Sequence, residues 1–446
     1  MERPLFMPGS LGLQAEFYQC VLASVYHADG LWGDATFDLY ARNLPTGWGY
    51  LVAAGLDLAL THLQTFRFSD EDIHFLEQNP YFAGVDASFF DLLREMRFEG
   101  DVYAVPEGTV VFPMEPILRI RAPLIVCTLI ETRLIQILSA STGVATRAAR
   151  LCEAAGGAAV VDFGARRAPG PEAALIHARA GYIGGVSATT NTLATARYDI
   201  TPMGTLSHTF LAAYGDDRLA VDAYRLHFPD LGHFPAPDDH PTEGLEPYLA
   251  FKDQVRTIRI DHDDLLGRSR AVRAWLDAHG MQHVRVMGSG HLDELRIRNL
   301  VASGAPIQIY AVGRALSSGA DQDLRMAFRI AERHTGPTAV PVTHRGGAAF
   351  PGAKQVVRFS HGDYLCLDLE AEAAIHAGGS PLLVPVLKEG DRLAAAPTLH
   401  EARQRRARQV GALPAEVRHP VEPRTWPMTV SDGILAVLNN ANRVAT

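Results

Sequence analysis

The sequence predicts an α/β protein organised around a parallel sheet, and three observations lead there. From Pro123 onward, short apolar runs alternate with helix-length segments, the rhythm of consecutive βαβ units. Several of those runs stop abruptly at polar or glycine clusters: Asp162-Phe163-Gly164-Ala165-Arg166-Arg167, Asp261-His262-Asp263-Asp264, Ser289-Gly290-His291 and Gly313-Arg314. At 446 residues the chain is long enough for a full barrel and a second domain.

The elements follow in order. The first 120 or so residues mix helix and strand. An amphipathic helix is expected at 17–26, a short strand at 35–39, and helices at 55–66 and 86–96. A hairpin is expected over 101–112, turned at Pro106-Glu107-Gly108. The alternating region then reads as helix 128–155, strand 157–163, helix 187–197 and strand 199–203. It resumes with strand 255–260, helix 265–279, strand 283–287, helix 292–302 and strand 307–312. The segment 228–247 is rich in Pro, Asp and His and reads as an irregular loop. Near the C-terminus, 399–409 is a basic helix (His400, Arg403, Arg405, Arg406, Arg408) whose charges suit a solvated face.

Composition narrows the function classes. Hydrophobic residues make up 47% and charged residues 20%, as in a globular enzyme. A net charge of −9 argues against nucleic acid and anionic membrane as partners. Cys20, Cys127, Cys152 and Cys366 lie far apart without metal-ligand spacing, which points to a reducing cytoplasm and no structural zinc. Met1-Glu2-Arg3-Pro4 does not open a signal peptide. The longest apolar stretch, 124–138, is interrupted by Glu131, Arg133 and Gln136, so no membrane span is expected.

In α/β proteins catalytic side chains collect where strands end. One such end carries Phe163, Arg166 and Arg167; another, after the expected strand 199–203, carries Gly204-Thr205-Leu206-Ser207-His208. An aromatic, two arginines and a histidine describe a pocket for something flat and anionic. The Ser289-Gly290 and Gly313 turns, each between a strand and a helix, offer backbone N–H groups to a phosphate.

These residues, taken in order, resemble the nicotinate phosphoribosyltransferase family over most of the chain. The resemblance rests on Phe17-Tyr18-Gln19, Phe37-Asp38-Leu39, Ala53-Ala54-Gly55-Leu56, Pro106-Glu107-Gly108-Thr109 and Glu115-Pro116. It continues through Phe163-Gly164-Ala165-Arg166-Arg167-Ala168, Tyr182-Ile183-Gly184-Gly185, Thr189-Thr190-Asn191 and the Gly204–His208 motif. It closes with Ser289-Gly290, Leu292-Asp293-Glu294, Pro351-Gly352, Lys354-Gln355 and 381–386. The resemblance implies a type II phosphoribosyltransferase, with an irregular, TIM-like α/β barrel at 123–340 beside an α+β domain built from 1–122 and 341–446. It also implies a cytoplasmic homodimer joining nicotinate to phosphoribosyl pyrophosphate with Mg²⁺, coupled to ATP hydrolysis through a phosphohistidine.

Carried onto this chain, Phe163 and Tyr18 would stack the pyridine ring, Tyr18 reaching a partner subunit's site. Arg166 and Arg167 would meet the carboxylate and a phosphate, for which guanidinium forks are suited. Thr190, or its neighbour Thr189, would tolerate the base's carboxylate where nicotinamide-using relatives place an acid. His208 would be the phosphorylated nucleophile. Arg259 and Asp261 would act on the ribose, Asp261 also being the candidate metal ligand, and Ser289, Gly290 and Gly313 would line the phosphate site.

Departures from the family pattern cluster on the phosphoribosyl half. Asp-Ser-Gly-Asp-Leu reads Asp261-His262-Asp263-Asp264-Leu265, Ser-Gly-Asp reads Ser289-Gly290-His291, and Gly-Val-Gly-Thr reads Ala311-Val312-Gly313-Arg314. The strand the family places before this region is expected to be missing, replaced by the 228–247 loop. His262, His291 and Arg314 would then take over phosphate or metal contacts. A phosphoribosyltransferase for another aromatic acid or for nicotinamide, and a non-catalytic nucleotide-binding homologue, are the alternative readings.

Overall fold

A computed structural model describes residues 12–236, 242–317, 324–336, 338–344 and 349–444, without the side chains of His208, Glu243 and 441–444. The chain forms two compact units: Met1–Gly143 with Asp323–Arg405 and Gly411–Thr446, and Val144–Gln322 with Arg406–Val410.

The first unit is α+β. Its seven-stranded antiparallel sheet runs in the order Thr338–Pro341, Met326–Thr335, Asp34–Ala41, Leu118–Pro123, Asp101–Ala104, Val384–Lys388, Asp391–Arg392. The apolar stripes of helices Leu56–Thr65, Asp70–Gln78 and Ala87–Glu95 fill the core with Leu60, Leu63, Ile73, Leu76, Phe89 and Leu93. Capping fixes where two of these helices begin. Ser69 accepts from the Asp72 N–H while Asp72 accepts from that of Ser69, and Asp86 accepts from the Ser88 N–H at 2.9 Å. A second sheet of four strands is built on Lys354–Phe359 and Gly362–Leu367.

The helix Leu124–Ala154 is 31 residues long. By length and composition alone it could cross a membrane, with mean hydropathy 1.5 over its most apolar window. More than half of that window is buried. Ile125, Val126, Leu129, Ile130, Leu134, Ile137 and Leu138 belong to the core of the first unit, so its apolarity has a packing explanation.

The expected hairpin over 101–112 is not formed. Its turn exists: the Thr109 N–H reaches the Pro106 carbonyl at 3.1 Å, and Gly108 takes φ +84°, a left-handed value that suits glycine. The flanking strands part company, however. Asp101–Ala104 pairs with Leu118–Pro123 and Val384–Lys388, while Val110–Val111 pairs with Leu51–Val52. Glu107 draws the turn elsewhere, its carboxylate accepting the buried Gly55 N–H at 2.6 Å.

The second unit is α/β. Its six-stranded sheet is parallel throughout, in the order Ala188–Thr189, Ala159–Asp162, Ile309–Val312, Arg285–Ser289, Thr257–Asp261, His233–Pro235. Val160, Val161, Val286, Met287 and Ile309 through Val312 are all buried, the near-continuous burial of a parallel sheet covered on both faces. No pairing joins the two edge strands among the described residues, so the sheet is a half-barrel.

Three expectations in this unit need correction. Residues 188–189, placed in a helix, are the edge strand, and the helix begins later, at Thr192–Tyr198 behind its Asn191 cap. Residues 199–203 are not a strand; a single bridge joins Thr189 to Pro202, since proline has no N–H to extend a ladder. The segment 228–247 is not only loop. His233–Pro235 pairs in parallel with Thr257–Arg259, restoring a strand where one was expected to be missing. The helix Pro171–Ile183 was not foreseen. Its Ala174, Ala178, Ala180, Gly181 and Ile183 are all buried, so it shows no amphipathic stripe for a sequence pattern to reveal.

The basic helix extends over Leu399–Ala412 and is more than a solvated face. Arg403, Arg405 and Arg406 are half-buried, and Arg405 donates to the Glu107 carbonyl.

Candidate active site

Parallel pairing brings the strand C-termini of the second unit to one edge. Register places Thr189 opposite Asp162, Asp162 opposite Val312, and Ser289 opposite Asp261. Along that edge lie Thr189-Thr190, Asp162-Phe163, Gly313-Arg314, Ser289-Gly290 and Asp261. Residues far apart in sequence are thus neighbours because their strands all point the same way.

At one end of the row, Asp162 organises the turn. Its carboxylate is 1% exposed, accepting the Gly164 N–H at 2.7 Å and the Thr189 hydroxyl at 2.8 Å. Burial pushes its pKa up, and those two donors hold it back. A Cβ at 164 would lie 1.9 Å from the Ser317 Oγ, so a larger residue there must displace that side chain. The chain then enters the short turn Ala165–Arg167, leaving Arg166 and Arg167 exposed. Phe163 packs its half-buried ring against Val161, Ala188, Met287, Ile309 and Ala311, which fixes the ring at the strand's mouth.

The same network separates the two threonines. The Thr189 hydroxyl donates to Asp162 and accepts the Asn191 N–H at 3.0 Å, and the residue is buried. Thr190 is half-buried, held by its N–H to the Asp162 carbonyl at 3.0 Å. Both line a cavity of about 340 Å³ together with Met203, Thr205, Tyr224 and His233.

At the other end, Arg259 is the hub. Its side chain is 13% exposed, donating to the Asp261 carboxylate at 3.1 Å and the Thr205 hydroxyl at 2.9 Å. Its Nε is buried without a partner. A guanidinium with one donor unsatisfied suits an anionic or hydroxyl-bearing ligand. Asp261 itself is exposed.

The Ser289-Gly290 turn lies beside it. Ser289 is buried and its hydroxyl donates to the Ile260 carbonyl at 3.1 Å, so this side chain braces the turn. Gly290 takes φ +101°, and a Cβ there would sit 2.9 Å from the Asp261 Oδ1. His291 follows at φ +46° and is exposed. The His262 Nδ1 accepts the Asp264 N–H at 2.9 Å, and Asp264 caps the helix Leu265–Ala278. Gly313 stands between Val312 and the short helix Arg314–Ser317, whose Arg314 is exposed.

Two proposed residues do not belong to the strands of this row. Tyr18 belongs to the first unit, 51% exposed on the helix Phe17–Ala28. His208 opens the helix His208–Tyr214, capped by Ser207 through the Phe210 N–H at 3.1 Å, but its side chain lies outside the described residues. Among the described residues no three His, Cys, Asp or Glu side chains gather as for a metal ion. The sequence reading overlooked Arg296, which donates to carbonyls of both the 262–263 and 290–291 turns. Its signal is an arginine in the first turn of a helix, where a positive charge opposes the helix dipole.

Two family descriptions match the chain: the nicotinate phosphoribosyltransferase N-terminal domain over residues 13–139, and the C-terminal domain of the same enzymes over 362–438. Nicotinate phosphoribosyltransferase pncB2 of Mycobacterium tuberculosis is 37% identical over 436 residues, covering 96% of this chain and 93% of the relative. This chain belongs to the nicotinate phosphoribosyltransferase family. The nicotinate phosphoribosyltransferase of Bacillus subtilis is 35% identical over 381 residues, 81% of this chain and 77% of its own length. In three dimensions, human nicotinic acid phosphoribosyltransferase covers 98% of this chain and is itself covered completely, with a TM-score of 0.81 at 24% identity. That likeness establishes the fold. The strand-end row is therefore the candidate active site of a nicotinate phosphoribosyltransferase fold.

Proposed function

We propose that the chain transfers the phosphoribosyl group of phosphoribosyl pyrophosphate to the ring nitrogen of nicotinate, giving nicotinate mononucleotide and pyrophosphate for NAD salvage. The observation that carries this is the single edge on which an aromatic ring, exposed arginines, a hydroxyl and glycine turns lie, in a chain of this family. In the reaction the pyridine nitrogen forms a bond to the anomeric carbon, and the bond from that carbon to pyrophosphate breaks. The electron pair leaves with the pyrophosphate.

Phe163 would hold the ring by stacking, and Arg166 and Arg167 would meet the carboxylate and a phosphate. Arg259 and Asp261 would orient the ribose hydroxyls, while the Gly290 and Gly313 backbone receives phosphate oxygens. Mg²⁺ would neutralise pyrophosphate charge. One exposed carboxylate, Asp261, fits the way this ion is held by one or two carboxylates plus substrate phosphates. Barrel closure beyond the six-stranded sheet, a cytoplasmic location and a homodimer complete the reading. Cys20, Cys127 and Cys366 are buried thiols, as suits a reducing compartment. Phe17, Tyr18, Leu22 and Val25 leave an exposed apolar face on their helix, which suits a second subunit.

The test is product formation. Pure protein with phosphoribosyl pyrophosphate, Mg²⁺ and ATP is given nicotinate, nicotinamide or quinolinate, and mononucleotide is followed by chromatography. Product from nicotinate is expected; no product from any base would sink the proposal, and product from nicotinamide alone would sink the choice of base.

Two variants refine it. Thr190 is the better candidate for base choice than Thr189, whose hydroxyl is already committed to Asp162. Thr190→Asp is expected to raise the nicotinate KM about a hundredfold, because like charges brought together cost several kcal/mol. A KM unchanged within twofold would remove Thr190 from the pocket. ATP coupling is proposed to run through His208, where the imidazole takes the γ-phosphoryl group from ATP, ADP leaves, and water later releases phosphate. His208→Ala is then expected to keep its rate without ATP and lose all stimulation by ATP. Stimulation equal to wild type would exclude that role.

A further inference from the structure

We infer that Arg296 is a positioning residue that sets the phosphoribosyl half of the site by tying two strand-end turns together. This inference rests on the functional reading above. Arg296 sits in the first turn of the helix Glu294–Ala302, behind the Asp293 cap, whose carboxylate accepts its N–H at 2.8 Å. From there the half-buried guanidinium fork spreads. Nη1 donates to the Gly290 carbonyl at 3.0 Å and approaches that of His291 at 3.5 Å. Nη2 donates to the Asp263 carbonyl at 2.6 Å and approaches that of His262 at 3.5 Å.

The two turns it joins are two of the three that differ from the family pattern. The 290–291 turn is unusual in its backbone needs. Gly290 and His291 take positive φ values of 101° and 46°, and a left-handed conformation is uncommon for a non-glycine residue. The 290–291 carbonyls must therefore be held in a conformation that His291 disfavours by itself. On the other turn, His262 and Asp263 stand where a smaller pair would need less support. Asp264 anchors its far side by accepting the Gly267 N–H at 2.8 Å, but the carbonyls of 262 and 263 point to Arg296. All the guanidinium's recorded bonds go to main-chain carbonyls, with no carboxylate among them.

The placement has a cost that a purely structural surface arginine need not accept, since a cation in the first turn of a helix opposes the helix dipole. A lysine could not reproduce it, because an ammonium is a point donor and cannot span two separate turns. Arg296 thereby holds the turn that follows Asp261 against the Gly290 turn. Its bonds end on the turns, and its effect on the reaction would pass through them.

The experiment compares wild type with Arg296→Ala, Arg296→Lys and, as a control on the same helix, Arg298→Ala. Steady-state kinetics are measured for both substrates, and backbone amide exchange is followed over 261–264 and 289–293. Arg296→Ala is expected to raise the phosphoribosyl pyrophosphate KM about tenfold or more, the loss of hydrogen bonds made by a charged group, with the nicotinate KM changed less than twofold. Exchange in both turns should accelerate together, Arg296→Lys should recover little, and Arg298→Ala should match wild type. Equal rises in both KM values, or exchange unchanged in either turn, would overturn the inference. The exchange measurement needs no catalysis, so it still decides the clamp if wild type proves to make no nucleotide. In that case it is the functional reading that fails.

Discussion

Lys354→Ala is expected to destabilise the first unit by about 3–5 kcal/mol, the usual consequence of leaving a buried charge without its partner. Lys354 and Asp38 meet at 2.6 Å with side chains 3% and 2% exposed, and the ammonium also donates to the carbonyls of Phe350 and Gly352. Burial already pushes the Asp38 pKa up, with Lys354 the main opposing influence. Removing the lysine raises it further. A carboxyl whose folded pKa exceeds its unfolded value binds more protons in the folded state, so stability falls as pH rises through the folded value. The deficit of the variant should therefore shrink on acidification. Thermal melts of wild type and variant at pH 5 and pH 8 check this, and a deficit that widens toward pH 5 would contradict it.

Arg259→Ala is expected to lower kcat/KM about 10²–10³-fold, the range for losing one preorganised donor at a reacting centre, with the melting temperature little changed. The side chain joins Thr205 to Asp261 and retains one buried unpaired donor. Arg259→Lys should recover little, since the planar fork is what bridges those groups. An exposed ion pair in the other unit provides the contrast. Arg121 pairs with Asp34 at 3.3 Å with both side chains largely exposed, and Arg121→Ala should leave activity and stability near wild type. If Arg259→Ala kept a tenth or more of wild-type kcat/KM, its central place in the site would be wrong.

The parallel sheet was legible because its strands are short, almost wholly apolar runs, and each ends in a residue the sheet cannot absorb. Asp162, Asp261, Ser289 and Gly313 all announced a strand end correctly. Strand His233–Pro235 was hidden for the opposite reason: three residues at a sheet edge, inside a proline- and aspartate-rich stretch, carry no periodicity. The hairpin at 101–112 failed because a turn sequence specifies local reversal and not the partner of each flanking strand. Helix Pro171–Ile183 escaped because burial on most sides erases the amphipathic stripe.

Within the site, residue types were easier to read than their commitments. The Ser289-Gly290 turn was read for its backbone N–H groups, and the Ser289 hydroxyl is spent on the Ile260 carbonyl, a commitment the sequence does not show. Between Thr190 and its neighbour Thr189, only the structure shows that the Thr189 hydroxyl is held by Asp162. Arg296 was missed because its partners are main-chain carbonyls, and its first-turn position is the one faint mark it leaves in the sequence. The first-unit residue Glu115 is a similar case. It is fully buried beside Asp363 and Arg358, and burial with the neighbouring Asp363 pushes its carboxyl well above the usual range.

A crystal structure of the protein with nicotinate mononucleotide tests the central claim most directly. The account predicts the pyridine ring against Phe163, its carboxylate near Thr190 and the arginines at 166–167, and the phosphate on the Gly290 and Gly313 turns. A nucleotide bound elsewhere, with the strand-end row of the parallel sheet left to solvent, would contradict it.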